Sequence, residues 1–520
     1  MNRFPTLPKA VLRFALMLGC AAPLAACSSA GDEPLDEPLA SDEQALACSS
    51  PPSIDPARSL LVTDPAVLAR FPLQTVLNTL LVDADTSAQT PLDLYRRWWD
   101  SQNKAAGAYF PDAIHCDDTK NASGAPSING FPIQCPRNEG VLAASHPFDA
   151  SPGNPDFMKP VAIVNRFDLA PLDGSHCGEY RIIYAKQSGA TNPTDRNLII
   201  FEAALRNPKP ACGLAGCRPV AEFWANLSSM SDPEARADAI EEFYYDGLQG
   251  FDPVLLPENL GVPANGKRRG QIRTNQFMAG LSELVWQLRE FSLNLKCSPS
   301  GCRLIFEPTT VKNNPYGPLF NASFIEPRRS AFQSDFVAQQ VAKLAPQDVN
   351  SIAMGINDLY NAGQSTSQTA STQGVENDYA VHLLAGGPLS SFFLGINTKL
   401  SSMGRSDLNA VDIANRATTQ SCAGCHELSS GDPLGGTKGL LPFAWPSHTL
   451  PLAFVHVNES SQLSKPLAEV FLPHRKQILA SFLASTPCYG CGGAAAQISP
   501  ASDGSIPGAG AATLGGAFTH

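Results

Sequence analysis

The sequence predicts an α+β fold, in which a β-rich, sandwich-like central domain with helical insertions is followed by a smaller, mainly helical domain. Alternation of apolar and polar residues with a period of two, which is typical of β-strands, runs from about residue 155 to 313. Apolar residues at helical spacing occur before and after that region. The 44 prolines and 40 glycines predict many turns between these elements.

The N-terminus carries the pattern of an export signal. Basic residues precede an apolar run at 14–26, which has the length of a signal-peptide core and is too short to cross a bilayer. The run closes in Leu-Ala-Ala-Cys at Cys27, which resembles the lipobox of bacterial lipoproteins. That resemblance implies lipidation of Cys27 as a membrane anchor. Because Ser28 is not an aspartate, it also implies the outer membrane of a Gram-negative bacterium. The alternative is an ordinary signal peptide cut near Ala26.

Composition and pattern together divide the chain into seven segments. We expect a signal peptide at 1–26, a disordered lipoprotein tether at 27–47, a helical and loop-rich part at 48–150, a β-rich domain with helices at 151–360, a linker at 361–378, a small helical domain at 379–491 and a disordered tail at 492–520. About 490 residues remain after cleavage of the signal peptide, enough for two or three domains with cores, and the hydrophobic content of 43% is ordinary for a globular protein.

Helical spacing predicts several helices outside the C-terminal domain. Residues 58–103 have this spacing, and Thr90 precedes Asp93 by three positions, as in a capping box. A helix inside the β-rich domain begins at 231–234 and ends at Gly247. Two further helices are predicted at Phe332–Leu344 and Val349–Leu359.

Period-two alternation predicts the strands of the central domain, which we expect to pack as a sandwich. The predicted strands are Val161–Phe167, Tyr180–Tyr184, Leu198–Phe201, Gln271–Phe277, Trp286–Leu295 and Arg303–Val311.

The most specific motif is the pentapeptide Cys422-Ala423-Gly424-Cys425-His426. C-x-x-C-H is the spacing at which two thiols capture the vinyl groups of a haem and the following histidine ligates its iron. A predicted helix at 407–420 leads into the motif, and a second amphipathic helix follows at 474–485. This arrangement resembles the small cytochrome c domain over 379–491.

The resemblance implies one covalent haem c, attached at Cys422 and Cys425, with His426 as the proximal iron ligand. The family places a distal methionine downstream of the motif, but the last methionine of this chain, Met403, precedes it. The chain as a whole also resembles uncharacterised lipoproteins of soil proteobacteria that carry one such motif near the C-terminus, a likeness that implies no particular activity.

The distal ligand must therefore come from elsewhere. His456 lies in the apolar run Phe454-Val455-His456-Val457 and is our candidate, although a histidine in such a run can also be a hydrogen-bonded core residue. His448, water, or Met403 reaching back are the alternatives.

The other cysteines predict disulfides, because exported proteins fold in an oxidising compartment. The candidate pairs are Cys297–Cys302, Cys212–Cys217, Cys116–Cys135, Cys488–Cys491 and Cys48–Cys177. The pairs His115-Cys116 and His176-Cys177 could instead bind metal. A zinc site made from the four C-terminal cysteines is a further alternative, but it would leave His426 without a role.

Charge and motif content narrow the function. The net charge of -11 argues against a nucleic-acid partner, which would need a basic face. The sequence lacks the G-x-S-x-G, P-loop and H-E-x-x-H motifs. We therefore predict a membrane-anchored c-type haem protein that transfers single electrons to a redox partner protein, in the periplasm or at the outer membrane. The alternatives are a haem enzyme of peroxidase or oxygenase type, and a disulfide-stapled cell-surface binding lipoprotein without haem.

Overall fold

Helices and antiparallel strands give the chain an α+β fold. The computed structural model describes residues 53–86, 88–261, 270–278, 286–299, 301–367, 376–438, 441–448 and 454–485, all within one compact unit, Cys48–His520. The helices are α1 (Pro56–Ser59), α2 (Pro65–Leu68), α3 (Leu73–Asp83), α4 (Pro91–Asp100), α5 (Arg218–Leu227), α6 (Pro233–Tyr245), α7 (Arg329–Asp335), α8 (Val341–Leu344), α9 (Tyr379–Ala385), α10 (Ser391–Ser402), α11 (Ala410–Thr418) and α12 (Leu472–Ser485). The strands are β1 (Leu61–Val62), β2 (Ser127–Ile128), β3 (Phe131–Pro132), β4 (Met158–Arg166), β5 (His176–Lys186), β6 (Asp195–Arg206), β7 (Gln271–Met278), β8 (Trp286–Ser298), β9 (Gly301–Thr309), β10 (Ser365–Thr366), β11 (Pro433–Lys438) and β12 (Leu441–Ala444).

Eight of the described strands form one antiparallel sheet. Their order is β1-β4-β5-β6-β7-β8-β10, and β9 pairs with the second half of β8. From β4 to β9 each strand pairs with the next one in sequence, so local antiparallel connections build most of the sheet. The six predicted strands are therefore present, but they join a single sheet, which differs from the predicted sandwich of two facing sheets.

Aromatic side chains fill the space between one face of this sheet and the helices. Trp98 of α4 lies with its ring centroid 6.5 Å from Phe201, 5.4 Å from Phe291 and 4.3 Å from Phe306. Tyr180 of β5 stacks on the α5 tryptophan, Trp224, at 5.8 Å. We call this side of the sheet the helix face.

The C-terminal part of the chain covers the other side of the sheet. Because successive side chains of a strand point in opposite directions, Arg181 and Ile183 lie opposite the Tyr180 side of β5. They line a cavity that is shared with residues from the turn after α11, the segment 454–467 and helix α12. We call this side of the sheet the cavity face.

Two predicted helices are present in the expected places. The side chain of Thr90 caps α4 by accepting a hydrogen bond from the backbone nitrogen of Asp93 at 3.1 Å. Helix α6 begins after its cap, Asp232, and the chain turns at Gly247, which has a φ of +89° that favours glycine.

The predicted helix at Val349–Leu359 is wrong. The residues from Phe332 to Leu344 are helical through α7, a π-helical turn and α8, but the chain then becomes irregular. The side chains of Asp348 and Asn357 accept hydrogen bonds from backbone nitrogens two residues later, which stabilises turns in competition with a helix. Buried Ile352 therefore belongs to a loop that packs on the core rather than to a helix.

The predicted linker at 361–378 contributes to the sheet. Within it, Ser365 and Thr366 form β10 and pair with Leu288 and Gln287 of β8. Both residues are buried. Part of this polar stretch is therefore an edge strand rather than a solvent-exposed connection.

The structure contains two of the predicted disulfides. Cys116 pairs with Cys135 at a Cα separation of 5.9 Å. Cys297 and Cys302 are opposite each other in the β8–β9 hairpin, where their separation of five residues places them on the two strands next to the turn.

The predicted pair Cys212–Cys217 is wrong. Cys217 is bonded to Cys177 of β5, with the Cα atoms 5.2 Å apart, and this also excludes the predicted pair of Cys177 with Cys48. Cys212 and Cys217 lie in a helical segment that is kinked at Gly213, so they do not oppose each other as hairpin residues do. Cys212 is disulfide-bonded elsewhere.

Several predictions concern residues that are not described. Cys27, Cys48, Cys488 and Cys491, the signal segment, the tether and the tail all lie outside the described residues. In the part of the chain that is described, no helix combines the length and the apolar character needed to span a membrane.

Candidate functional site

The C-x-x-C-H motif follows α11 in a sharp turn. Ser421 Oγ donates to the carbonyl of Thr418 at 2.8 Å and accepts from the backbone nitrogen of Gly424 at 3.0 Å. Gly424 packs so closely on the Thr418 carbonyl that a Cβ would collide with it, and a π-helical turn, Gly424–Leu428, begins there. The turn holds all three motif side chains in the interior.

Cys422 and Cys425 are buried thiols and are not disulfide-bonded. Burial raises the pKa of Cys422 to about 12, although the positive charge of Arg273 opposes this. The pKa of Cys425 is raised even further, first by burial and then by Cys422. Both sulfurs are therefore protonated at neutral pH, which does not suit them as thiolate metal ligands or as nucleophiles.

His426 is held in one tautomer. Its Nδ1 lies 2.9 Å from the backbone carbonyl oxygen of Phe454, and since a carbonyl can only accept, Nδ1 must carry the proton. Burial, with a smaller contribution from His448, lowers the pKa of His426 to about 3, so the ring is neutral. The lone pair of Nε2 is left unused by the hydrogen bonds of the described residues. A metal-binding histidine usually donates its ring N–H to a carbonyl or a carboxylate and binds the metal through its other nitrogen.

A small network holds the carbonyl that orients His426. Phe454 has a φ of +72°, an unfavourable conformation for a residue other than glycine. Its carbonyl also accepts a hydrogen bond from Asn275 Nδ2 at 2.9 Å. Asn275 Oδ1 in turn accepts from Trp286 Nε1, and the Trp286 ring stacks on His426 with centroids 5.4 Å apart. Strand residues and a strained loop residue thus fix the imidazole from two sides.

Two more histidines surround Cys425. The ring of His456 lies 4.7 Å from that of His426, and its Nε2 is 3.5 Å from Cys425 Sγ. His448 Nε2 donates to the carbonyl of Cys425 at 3.0 Å. Met403 is 36% exposed at the end of α10 and does not line the cavity. The structure therefore brings His456 and His448, but not Met403, to the motif.

These donors do not form a metal site by themselves. Among the described residues, no group of three or more histidine, cysteine, aspartate or glutamate side chains is placed to hold a metal ion. Cys116 and Cys177 are in disulfides, which removes the alternative of metal binding by the two His-Cys pairs.

A cavity of about 70 Å³ lies between the motif and the sheet. Cys422, His426 and His456 line one part of it. The sheet supplies most of its apolar lining: Leu61, Val164, Ile183, Leu198, Ile200 and Leu288.

Buried ion pairs border the cavity on the sheet. Arg181 contacts Glu179 at 2.7 Å and Glu202 at 3.1 Å, and Arg273 contacts Glu202 at 3.5 Å. Burial alone would raise the pKa of Glu179, but Lys312 and Arg181 reverse the effect and hold that pKa well below its usual range. The cavity therefore combines an apolar wall with a fixed, charged one.

Sequence reasoning found the motif and missed the residues that support it. Asn275 and Trp286 were predicted only as strand residues, and Arg475 only as part of a helix. Arg181 and Arg273 fall at the alternate positions that normally face water in an antiparallel strand. The sequence signal that could have predicted their burial in ion pairs is the presence of acids, such as Glu179 and Glu202, at alternate positions of the same and neighbouring strands.

Comparison of the chain with protein-family models, with curated proteins and with solved structures finds no match.

Proposed function

We propose that this protein is a c-type haem protein, with one haem bound covalently through Cys422 and Cys425 and its iron ligated by Nε2 of His426. The observation that carries the proposal is the 2.9 Å contact between His426 Nδ1 and the Phe454 carbonyl. This contact fixes the tautomer that a haem-ligating histidine needs. When bound, the haem would supply one-electron chemistry through its Fe(III)/Fe(II) couple.

The residues present fit such a group. The cavity is largely apolar, Cys422 and His426 line it, and the Cys425 thiol is buried close to them. A haem iron takes most of its ligands from the porphyrin, so it needs only one or two side chains from the protein. The described residues contain no group of three or more side chains that could hold a metal ion, and a haem iron does not need one.

His456 is our proposed second ligand. Its Nδ1 lies 3.2 Å from Ser464 Oγ, and its Nε2 lies 3.5 Å from Cys425 Sγ, beside a proposed attachment point of the haem. Ligation by two histidines would favour an electron carrier with a lower potential than that of a methionine-ligated cytochrome.

We further propose that the protein is exported and anchored through a lipid on Cys27, at the outer membrane or facing the periplasm. The disulfides of the folded chain, including Cys177–Cys217, support export because such bonds form in oxidising compartments. Attachment of haem to C-x-x-C-H motifs takes place in the same compartment. A redox partner protein would then receive or supply the electron.

The decisive experiment is co-expression of the full chain with a haem-maturation system, followed by intact-mass measurement and a pyridine haemochrome spectrum. We expect the mass of one haem in the wild type and none in the Cys422→Ala, Cys425→Ala variant. As a matched control, a Cys297→Ala, Cys302→Ala variant removes two other cysteines and should keep its haem. A wild-type protein without bound haem would overturn the proposal and leave the surface-binding alternative.

The spectrum of the oxidised protein then separates a carrier from an enzyme. Low-spin, six-coordinate iron is expected of an electron carrier, and His456→Ala should convert it to a high-spin form. High-spin iron in the wild type would instead favour a haem enzyme with an open ligand position.

A further inference from the structure

Arg475 is a buried cation that makes no hydrogen bond to any described residue. It lies on α12, its side chain is 5% exposed, and it lines the cavity. The acid that it approaches is Asp168, at 4.0 Å from Arg475 Nε to Oδ2. Asp168 is already bound by Arg166, which donates from Nε at 3.0 Å and from Nη2 at 2.8 Å. Arg475 therefore presents an unused guanidinium to the cavity.

Among the described residues, the ion cluster around Arg475 contains five cations and four acids. Its cations are Arg166, Arg181, Arg273, Lys312 and Arg475, and its acids are Asp168, Glu179, Glu202 and Glu290. The first four cations have a carboxylate oxygen at 2.8, 2.7, 3.1 and 3.4 Å, respectively. Burial, together with repulsion from Arg166, lowers the pKa of Arg475. Since a buried charge without a counter-ion is strongly unfavourable, the cluster calls for one more anion.

We infer that this part of the cavity is a subsite for a carboxylate carried on an apolar body, with Arg475 as its anchor. The planar guanidinium can bind a carboxylate through two parallel hydrogen bonds. The apolar lining from residues such as Leu61 and Ile200 favours an organic acid over a small hydrated anion, because the organic body gains from leaving water.

Two sources could supply this carboxylate. One is a propionate group of a covalently bound haem, and the other is a free organic acid that enters the same cavity. The inference about the subsite is separate from that about haem attachment, because it rests on the charge and burial of Arg475 and its neighbours.

The first test uses the full chain with Cys422→Ala and Cys425→Ala, which cannot attach haem. Octanoate is the probe, and octanol, which has the same chain length but no carboxylate, is its control. Calorimetry should show one bound octanoate, and Arg475→Gln should weaken its binding at least tenfold without changing that of octanol. Equal octanoate binding with and without Arg475, or no binding in either protein, would overturn the inference.

Thermal unfolding of the same proteins shows whether Arg475 is only structural. With no ligand present, Arg475→Gln should raise the unfolding temperature, because it removes an uncompensated buried charge. Arg218→Gln is the control, since the buried Arg218 is paired with Glu222 at 2.7 Å and should lose stability on substitution. A lower unfolding temperature for Arg475→Gln would show that Asp168 is a sufficient partner and would contradict the inference.

The second arm distinguishes the two sources in the matured protein. If a propionate fills the subsite, octanoate should not bind, and Arg475→Gln should make the reduction potential depend on pH as that propionate begins to titrate. If the ligand is a free acid, octanoate should bind and alter the haem spectrum. A matured protein that carries no haem would contradict the proposed function. The octanoate titration of the haem-free variant would still test whether Arg475 binds a carboxylate.

Discussion

The two faces of the large sheet use the same strands but opposite chemistry. On the helix face, Tyr180 stacks on Trp224 at 5.8 Å, and Phe201 lies in the aromatic core. On the cavity face, the residues that directly follow them, Arg181 and Glu202, form an ion pair at 3.1 Å. Burial of aromatic area stabilises a fold, whereas buried ions contribute little beyond the cost of their desolvation. The helix face therefore accounts for folding, and the cavity face is where a function should be sought.

The largest effect should come from breaking the helix face. Phe201→Ala leaves a hole among Trp98, Tyr184 and Phe306, whose ring centroids lie 6.5, 5.8 and 6.3 Å from that of Phe201. We expect the free energy of unfolding to fall by about 3–5 kcal/mol, measured by denaturant titration. Phe201→Leu is the control and should cost only about 1 kcal/mol. Because this face does not line the cavity, the folded fraction of either variant should still attach haem. Loss of haem attachment in the folded protein would show that the two faces do not act independently.

Removal of one charge from the cavity face should lower the free energy of unfolding almost as much as Phe201→Ala does. Glu202→Gln leaves Arg181 and Arg273 without their shared acid, and we expect a loss of about 3–4 kcal/mol in unfolding free energy. The matched control is Glu307→Gln, which breaks an exposed pair with Lys296 and should cost less than about 1 kcal/mol. Similar losses for the two variants would mean that the buried cluster is not held together by its charges.

Acid should weaken the cavity face through His426. Its pKa of about 3 in the folded haem-free chain lies below the ordinary value of 6.5, so the unfolded chain binds a proton that the folded chain excludes. Stability contributed in this way is fully present above pH 6.5 and is lost as the pH falls toward 3. Between pH 7 and 4 the loss should be about 3 kcal/mol.

Unfolding titrations of the haem-free protein across this pH range test that expectation. His426→Asn should flatten the dependence of unfolding free energy on pH. The exposed His146, replaced in the same way, is the control for the loss of a histidine side chain from the surface. An unaltered slope in His426→Asn would show that His426 is not buried as a neutral ring.

The sequence predicts the helix face well and the cavity face poorly, for a physical reason. Strand alternation and the Thr90 cap are local signals, and both elements are present in the structure. Arg181 and Arg273 alternate with apolar residues along their strands, and this pattern predicts that their side chains face solvent. They are buried because the C-terminal segment covers them, and a contact between residues so far apart in sequence leaves no periodic signal.

The motif shows the same limit within the candidate site. Its spacing alone predicted Cys422, Cys425 and His426 as candidate haem-binding residues, because the proposed covalent chemistry needs those residues in that order. The orienting carbonyl of Phe454 and the position of Arg475, 4.0 Å from Asp168, depend on backbone conformation and on tertiary packing. The incorrect pairing of Cys217 has a similar origin, since its partner Cys177 comes from a strand rather than from the nearby loop.

The smallest expected effect on stability is also the sharpest test of how the cavity face serves His426. Asn275→Ala removes the amide that holds the Phe454 carbonyl and leaves the buried Trp286 N–H without its acceptor, at a cost of about 1–2 kcal/mol. Asn154→Ala is the control, because Asn154 also donates to two backbone carbonyls, both at 2.8 Å, but is not among the residues that line the cavity. In matured protein, only Asn275→Ala should shift the haem spectrum and the reduction potential, since a looser carbonyl weakens the hydrogen bond that sets the basicity of His426. If both variants lose similar stability and neither alters the haem, the network supports the fold and does not tune a ligand.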